Sequence, residues 1–209
     1  MLKKYLYLPL EIVLREHDGK CILAYEFAIL DWDVIIAPKL ELYKQLKQLP
    51  KGSFVLKSAH SAETKQINFI KSLGHKIYTL DEEGLVFYKE INNPLRYNKD
   101  NLININKIFF WGKYQKEHFT QHFKSSFKKT FVTGAPRYEF WCKYAKKTYK
   151  SKANSIKEKF GEYILIPTSF GVPNSYLKDQ GVKTFIEDMT GVVSRSTLKF
   201  LIGKSEADL

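Results

Sequence analysis

The chain has 209 residues, 44% of them apolar, 15% aromatic and 27% charged, which excludes a wholly disordered polypeptide and predicts one complete domain plus a further piece. Its two cysteines, Cys21 and Cys142, stand far apart with no CxxC spacing or Cys/His cluster, so a disulfide framework and a structural zinc site are excluded and a reducing compartment is expected. The net charge of +12 lies in one segment: sixteen basic and four acidic residues fall between Arg96 and Phe160, against eighteen of each sign elsewhere. Such a segment attracts phosphate-rich partners (nucleic acid, anionic lipid headgroups or a nucleotide-linked substrate) or serves as a solvated lysine face.

The N-terminus, MLKKYLYLPLEIVLRE, imitates a signal peptide, but Glu11, Arg15 and Glu16 interrupt it and no small-residue cleavage site follows. No stretch approaches the roughly 20 apolar residues that cross a bilayer. A cytoplasmic protein is expected, with at most a peripheral attachment to the inner face of the membrane.

In chain order, Tyr5–Leu8 reads as a strand broken by Pro9, residues 16–30 as a helix, Asp33–Ala37 as a strand and residues 40–49 as a helix. Ser53–Leu56 is a third strand, and residues 62–73 form a helix stopped by Gly74. Residues 75–80 make a fourth strand that runs into Asp81, Glu82, Glu83 and Gly84. An irregular stretch with a short helix, residues 85–106, leads to a fifth strand at 107–111. A helix at 113–123 precedes a sixth strand at 130–133, which ends in Gly134, Ala135, Pro136 and Arg137, and a long basic helix runs from about Tyr138 to Phe160. Alternating strands and crossover helices predict an α/β, Rossmann-like, doubly wound and mostly parallel sheet. Residues 1–160 would form this domain, and residues 161–209 would begin a second, incomplete one with a strand at Glu162–Pro167.

The sequence has no GxGxxG, GxxxxGK[ST], HExxH or GxSxG motif, which argues against hydride transfer, P-loop hydrolysis and zinc proteolysis. Polar clusters instead follow the strands, and in open α/β sheets ligands bind beyond the carboxyl ends of the strands. Glu11, Arg15, Glu16 and Lys20 follow the first strand, His60 and Ser61 the third, and Asp81 to Gly84 the fourth. Trp111, Gly112 and Gln115 follow the fifth, and Gly134 to Arg137 the sixth. Mutual repulsion among Asp81, Glu82 and Glu83 would raise at least one pKa and provide a general base; the same residues also suit a solvated acidic turn. Gly134 to Arg137 either offers a phosphate a helix N-terminus and a guanidinium, or is a plain turn with Arg137 paired to a carboxylate. His60 reads as an ordinary loop histidine. Phe140, Trp141, Tyr144 and Thr148, with Lys143, Lys146, Lys147 and Lys150 beside them, mark either a membrane-surface helix or a face docked on its own domain.

Taken in order, six stretches resemble the surface carbohydrate biosynthesis proteins, a group similar to CDP-glycerol glycerophosphotransferases and GT-B glycosyltransferases. They are YLPLEIVLREHDGKCILA (7–24), DWDVIIAPK (31–39), LGHKIYTLDEEGLVFY (73–88), FFWGKYQ (109–115), VTGAPRYEFW (132–141) and YILIPTSFGVPN (163–174). The resemblance implies two Rossmann-like domains of GT-B type, an N-terminal one for the acceptor and a C-terminal one for the donor. It also implies transfer of a sugar or polyol phosphate from a nucleotide-linked donor to a glycan or lipid-linked acceptor. Glu83 or Glu82 would be the catalytic base. Glu11, Arg15, Glu16, Asp81, Trp111, Gly112, Gln115, Gly134, Arg137, Thr168 and Asn174 would bind substrate. No metal or other cofactor is called for, and DNA is not an expected partner. The basic, His-containing donor motif is not found after Asn174, so a truncated form is expected, and inactivity of the isolated chain is among the expectations. The alternative is a non-catalytic basic module that binds anionic membrane, glycan or RNA.

Overall fold

In the computed structural model, which describes residues 3–84 and 96–165, the six apolar runs form one parallel sheet. Its strands are β1 (Lys4–Leu10), β2 (Trp32–Pro38), β3 (Ser53–Leu56), β4 (Lys76–Leu80), β5 (Lys107–Phe110) and β6 (Thr130–Val132), in the order β2-β1-β3-β4-β5-β6. Parallel neighbours need crossovers, supplied by α1 (Val13–Ile29), α2 (Lys39–Lys44), α3 (Thr64–Ser72), α4 (Lys99–Asn104) and α5 (Lys113–His122). This is the Rossmann-like, doubly wound α/β arrangement. The order reverses at β1: the chain leaves it for β2 on one side and later lays β3 on the other. That switch point is where such sheets open a crevice at their carboxyl edge.

Several boundaries differ from the sequence reading. β1 runs through Pro9 to Leu10, pairing residue by residue with β2, because its ladder to β3 ends at Tyr7 and beyond that point β1 has one partner strand only. α1 already begins at Val13. No cap side chain precedes it; the Glu16 carboxylate turns back and accepts the N–H groups of Glu11 (3.1 Å) and Ile12 (3.3 Å), satisfying donors that the first turn leaves open. α2 stops at Lys44, and the expected helix continues only as turns that bury Leu46. Gly74 ends the α3 segment in the left-handed region, at φ 84°.

The long basic helix is interrupted. It starts with α6 (Pro136–Glu139), passes through a π-turn at Phe140–Tyr144, and continues as α7 (Ala145–Thr148) and α8 (Lys150–Phe160). A π-turn brings residues five apart to one face, and Phe140 and Ala145 are indeed the buried pair while Trp141 and the lysines stay outside. The chain divides into a unit of residues 1–153 and a unit of residues 154–209. Of the second, residues 154–165 are described: the end of α8 and an exposed stretch. Within it Glu162–Leu165 is not in a strand, contrary to expectation.

Alternation along each strand sends Tyr7, Phe54, Ile77, Ile108 and Phe110 to one face, where they form a fully buried core with Leu42 and Leu46 after β2, Ile67 and Ile70 of α3, Leu102 of α4 and Phe119 of α5. His75 packs edge-on against Tyr7 and Phe54 while its Nδ1 accepts the Gly52 N–H, and burial lowers its pKa, so it is a neutral core histidine. The opposite face carries Leu6, Val55, Tyr78, Leu80 and Phe109. There α1 and the α6 turn leave a groove of about 690 Å³ between Phe27 and Trp32 on one bank and Tyr138 and Tyr144 on the other. Both cysteines are free. Among the described residues no helix is long and apolar enough to cross a membrane.

Candidate functional site at the carboxyl edge of the sheet

Residues that follow β1, β2, β3 and β4 meet in two ion-pair clusters above the β1/β3 switch point, joined by the Glu11 N–H that Glu16 accepts. Arg15 is the hinge: its Nη1 donates to Glu83 Oε1 at 2.9 Å and its Nη2 to Glu16 Oε1 at 3.0 Å. Lys20, one turn beyond Glu16, donates to Glu16 Oε2 at 2.7 Å and to the Pro9 carbonyl, and lies 3.6 Å from Glu82. Lys39 bridges Glu11 (2.6 Å) and Glu63 (2.5 Å), and Lys57 joins the same Glu11. Lys39 and Lys57 directly follow β2 and β3, while Arg15 and Lys20 come from the first two turns of α1.

The three consecutive carboxylates have unlike surroundings. Asp81 is buried, with Oδ1 accepting from Arg96 (2.7 Å) and the Glu83 N–H (2.9 Å) and Oδ2 accepting from Gln115 (3.2 Å). Burial lifts its pKa, with Arg96 pulling the other way. Glu83 is clamped between Arg15 and Arg96, and the Arg96 hydrogen bond holds its pKa low despite partial burial. Glu82 has its carboxylate turned inward towards Lys20 alone; burial raises its pKa and the more distant Lys20 only partly compensates. Burial, rather than the repulsion expected from adjacency, is the principal cause of both upward shifts. Glu16 is buried too, but the hydrogen bonds from Lys20, the Glu11 N–H and Arg15 outweigh burial and bring its pKa down to about 2.

Trp111 and Gln115 brace this edge. The indole Nε1 donates to the Asp81 carbonyl at 2.5 Å, and the Gln115 amide oxygen accepts the Trp111 N–H at 2.8 Å while its NH₂ reaches Asp81. Gly84 is required where it sits, since a Cβ there would lie 2.7 Å from the indole. Arg137 donates from Nη1 to the Glu82 carbonyl oxygen at 3.1 Å. This ties Arg137 to the Glu82 backbone, where the plain-turn reading had placed a carboxylate partner. α6 approaches α1 so closely that a Cβ on Gly19 would meet the Arg137 backbone nitrogen at 2.8 Å.

Glu11, Arg15, Glu16, Asp81, Glu82, Glu83, Trp111, Gln115 and Arg137 are therefore brought together. Gly112 caps α5 with open space at its Cα, and Gly134, at φ 82°, lines the apolar groove rather than the ion-pair clusters. His60 caps the turn before α3, accepting the Ala62 N–H, as a loop histidine would. Thr168 and Asn174 lie outside the described residues. Sequence reasoning missed Arg96, Lys39, Lys57 and Glu63. Lys39 and Lys57 could have been found, since Lys57 directly follows a predicted strand and Lys39 stands one residue past another; Arg96 sits in a stretch with no periodicity to place it.

Beneath Arg137, a crevice of about 20 Å³ holds Glu16, Lys20, Asp81 and Glu82 in its wall, room for about one water. Leu23, Val55, Leu80, Ala135 and Pro136 line both this crevice and the 690 Å³ groove, so the two share a wall, with Glu82 on the crevice side of it. Among the described residues no group of His, Cys, Asp and Glu could hold a metal ion. No family model matches the chain, and neither a curated protein nor a solved structure matches it significantly.

Proposed function

We propose that this chain is the acceptor-holding side of a transferase of surface polysaccharide assembly. It would move a sugar or polyol phosphate from a nucleotide-linked donor to a hydroxyl of a glycan or lipid-linked acceptor at the cytoplasmic membrane. The observation that carries this reading is Glu82: a largely buried carboxylate of raised pKa, in a crevice that shares a wall with an aromatic groove, with Lys20 beside it and Arg137 fixing its backbone. A general base works best when its pKa is lifted towards the operating pH. Glu83, clamped by two guanidinium groups, is the poorer base, so of the two candidates the proposal takes Glu82.

In the proposed step the acceptor lies along Tyr78, Phe109, Tyr138 and Tyr144, whose rings suit the apolar faces of sugars, and its hydroxyl points at Glu82. The hydroxyl oxygen bonds to the donor's anomeric carbon or phosphorus, its proton passes to the Glu82 carboxylate, and the nucleotide phosphate leaves with the electron pair of the broken bond. Lys20 keeps the carboxylate ionised before the transfer and must share it with the proton afterwards. The resemblance noted in the sequence supports the same division of labour, with the donor held by a second Rossmann-like domain.

Ligand-observed NMR of the full chain with a panel of polyol phosphates and short glycans tests this reading. The expected result is saturation transfer to at least one of them, weakened by Tyr78→Ala in the groove and, for the hydroxyl contacts, by Glu82→Gln. Absence of binding across the panel, or binding that neither substitution alters, overturns it.

A further inference from the structure

The first turn of α1 presents Ile12, Val13 and Leu14 to water at 49%, 53% and 101% exposure. Three consecutive exposed large apolar side chains at a helix end form a contiguous patch of the kind that marks a contact surface. Successive helix residues point about 100° apart, so the three fan over roughly 200° of the helix end, while Arg15 and buried Glu16 of the same turn face the domain. A partner helix would need a stripe along one face; a fan of apolar groups at a helix end fits a fluid apolar phase instead.

The surface continues onto a basic element. Asp18 lies on the Leu14 face of α1, one turn further on, and accepts a hydrogen bond from the Tyr149 hydroxyl. The Tyr149 ring packs 6.2 Å from that of Trp141, which is itself 62% exposed. Lys146, Lys147 and Lys150 flank Tyr149 in the same turns and are exposed. An apolar tip, an exposed indole and neighbouring ammonium groups are the components of an interfacial membrane contact: the apolar groups enter the headgroup boundary and the lysines meet lipid phosphates.

We propose that the α1 tip and the α7 turn together form a docking surface for an anionic lipid bilayer. The Ile12–Leu14 side chains insert, and Trp141, Lys146, Lys147 and Lys150 lie in the headgroup layer. Arg15 and Glu16 directly follow the inserted residues, so docking would bring the carboxyl edge of the sheet to the membrane surface. The surface uses none of the residues assigned to acceptor chemistry, so the two proposals stand or fall separately.

Co-sedimentation of the full chain with phosphatidylcholine vesicles, with and without phosphatidylglycerol, tests the proposal, alongside tryptophan emission. The expected result is binding to the anionic vesicles only, weakened by salt, with a blue shift that Trp141→Phe removes. Val13→Ser combined with Leu14→Ser should lower the partition coefficient about tenfold, and Lys146→Glu combined with Lys147→Glu should act in the same direction, both leaving the melting temperature unchanged. Glu82→Gln should bind vesicles as the unsubstituted chain does. The proposal is overturned if anionic vesicles bind no better than neutral ones, or if the Val13 and Leu14 pair leaves binding intact. It is equally overturned if that pair instead dissolves a concentration-dependent dimer, which would assign the tip to a second copy of the chain.

Discussion

Adjacent carboxylates, Glu82 and Glu83, divide the polar edge of the sheet into unlike halves. On the Glu83 side Arg15 and Arg96 each hold it with a direct hydrogen bond, and Arg96, Gln115 and Trp111 tie Asp81 into the same lattice. On the Glu82 side the carboxylate has one cation at 3.6 Å, and that cation is already committed to Glu16 at 2.7 Å. One half is saturated with donors and behaves as structure; the other is left short of them and remains able to exchange a proton. Two residues with the same side chain, next to each other in the chain, acquire opposite pKa shifts because one is held by two direct hydrogen bonds and the other is more deeply buried with a single, longer ion pair.

The strongest way to break this contrast is to remove Glu16. Glu16→Ala leaves Lys20 buried without its principal partner and the α1 N-terminus uncapped, and should cost about 4 kcal/mol in denaturant unfolding. The conservative Glu16→Gln sharpens the contrast instead. With the competing charge gone, Lys20 should pair with Glu82 and lower the Glu82 pKa, read by carboxyl carbon NMR titration. The same residue sets a pH dependence. The folded pKa of Glu16 is about 2 against an ordinary 4.5, so its contribution is complete above pH 4.5 and disappears as pH falls towards 2. Glu82 and Asp81, shifted upward, work in the opposite sense and gain folding stability on protonation. Glu16→Gln should therefore flatten the acid limb of the stability curve.

Next in size is the saturated half: Arg96→Ala strips a buried Asp81 of its charge partner and should cost about 3 kcal/mol. Gly19→Ala pushes a methyl group into the Arg137 backbone at 2.8 Å and should cost about 2 kcal/mol. Because Arg137 holds the Glu82 carbonyl, this variant should disturb the Glu82 titration more than that of Glu83. Trp111→Phe deletes the hydrogen bond to the Asp81 carbonyl, for about 1 kcal/mol by thermal melting. At the bottom of the scale, Lys44→Ala removes an exposed pair with Glu41 and should change stability by a few tenths of a kcal/mol at most.

Strand composition and turn residues made most of the sheet legible in advance: Ser53–Leu56 matches to the residue, and the other five strands differ only at their ends. Pro9 misled because the sequence does not say that β1 loses one of its neighbours after Tyr7. The π-turn was equally hidden, since Phe140, Trp141 and Tyr144 look regular until the burial of Ala145 shows which face is inward. At the polar edge, the rule that ligand-facing groups follow parallel strands gathered Glu11, Arg15, Glu16, Asp81, Glu82, Glu83 and Arg137 correctly. It could not rank Glu82 against Glu83, because the difference is made by Arg96, from a stretch without periodicity, and by the depth of each carboxylate.

The π-turn at Phe140–Tyr144 has a consequence for how this surface tolerates change. One residue fewer there would restore ordinary helical winding with Phe140 and Ala145 four apart and still on one face, so Tyr149 would keep Asp18 and the ammonium groups downstream would keep their aim. A deletion within the regular turns that follow would instead swing what lies beyond it by about 100° around the axis. The wide turn therefore lets chain length change by one residue without re-aiming the basic surface.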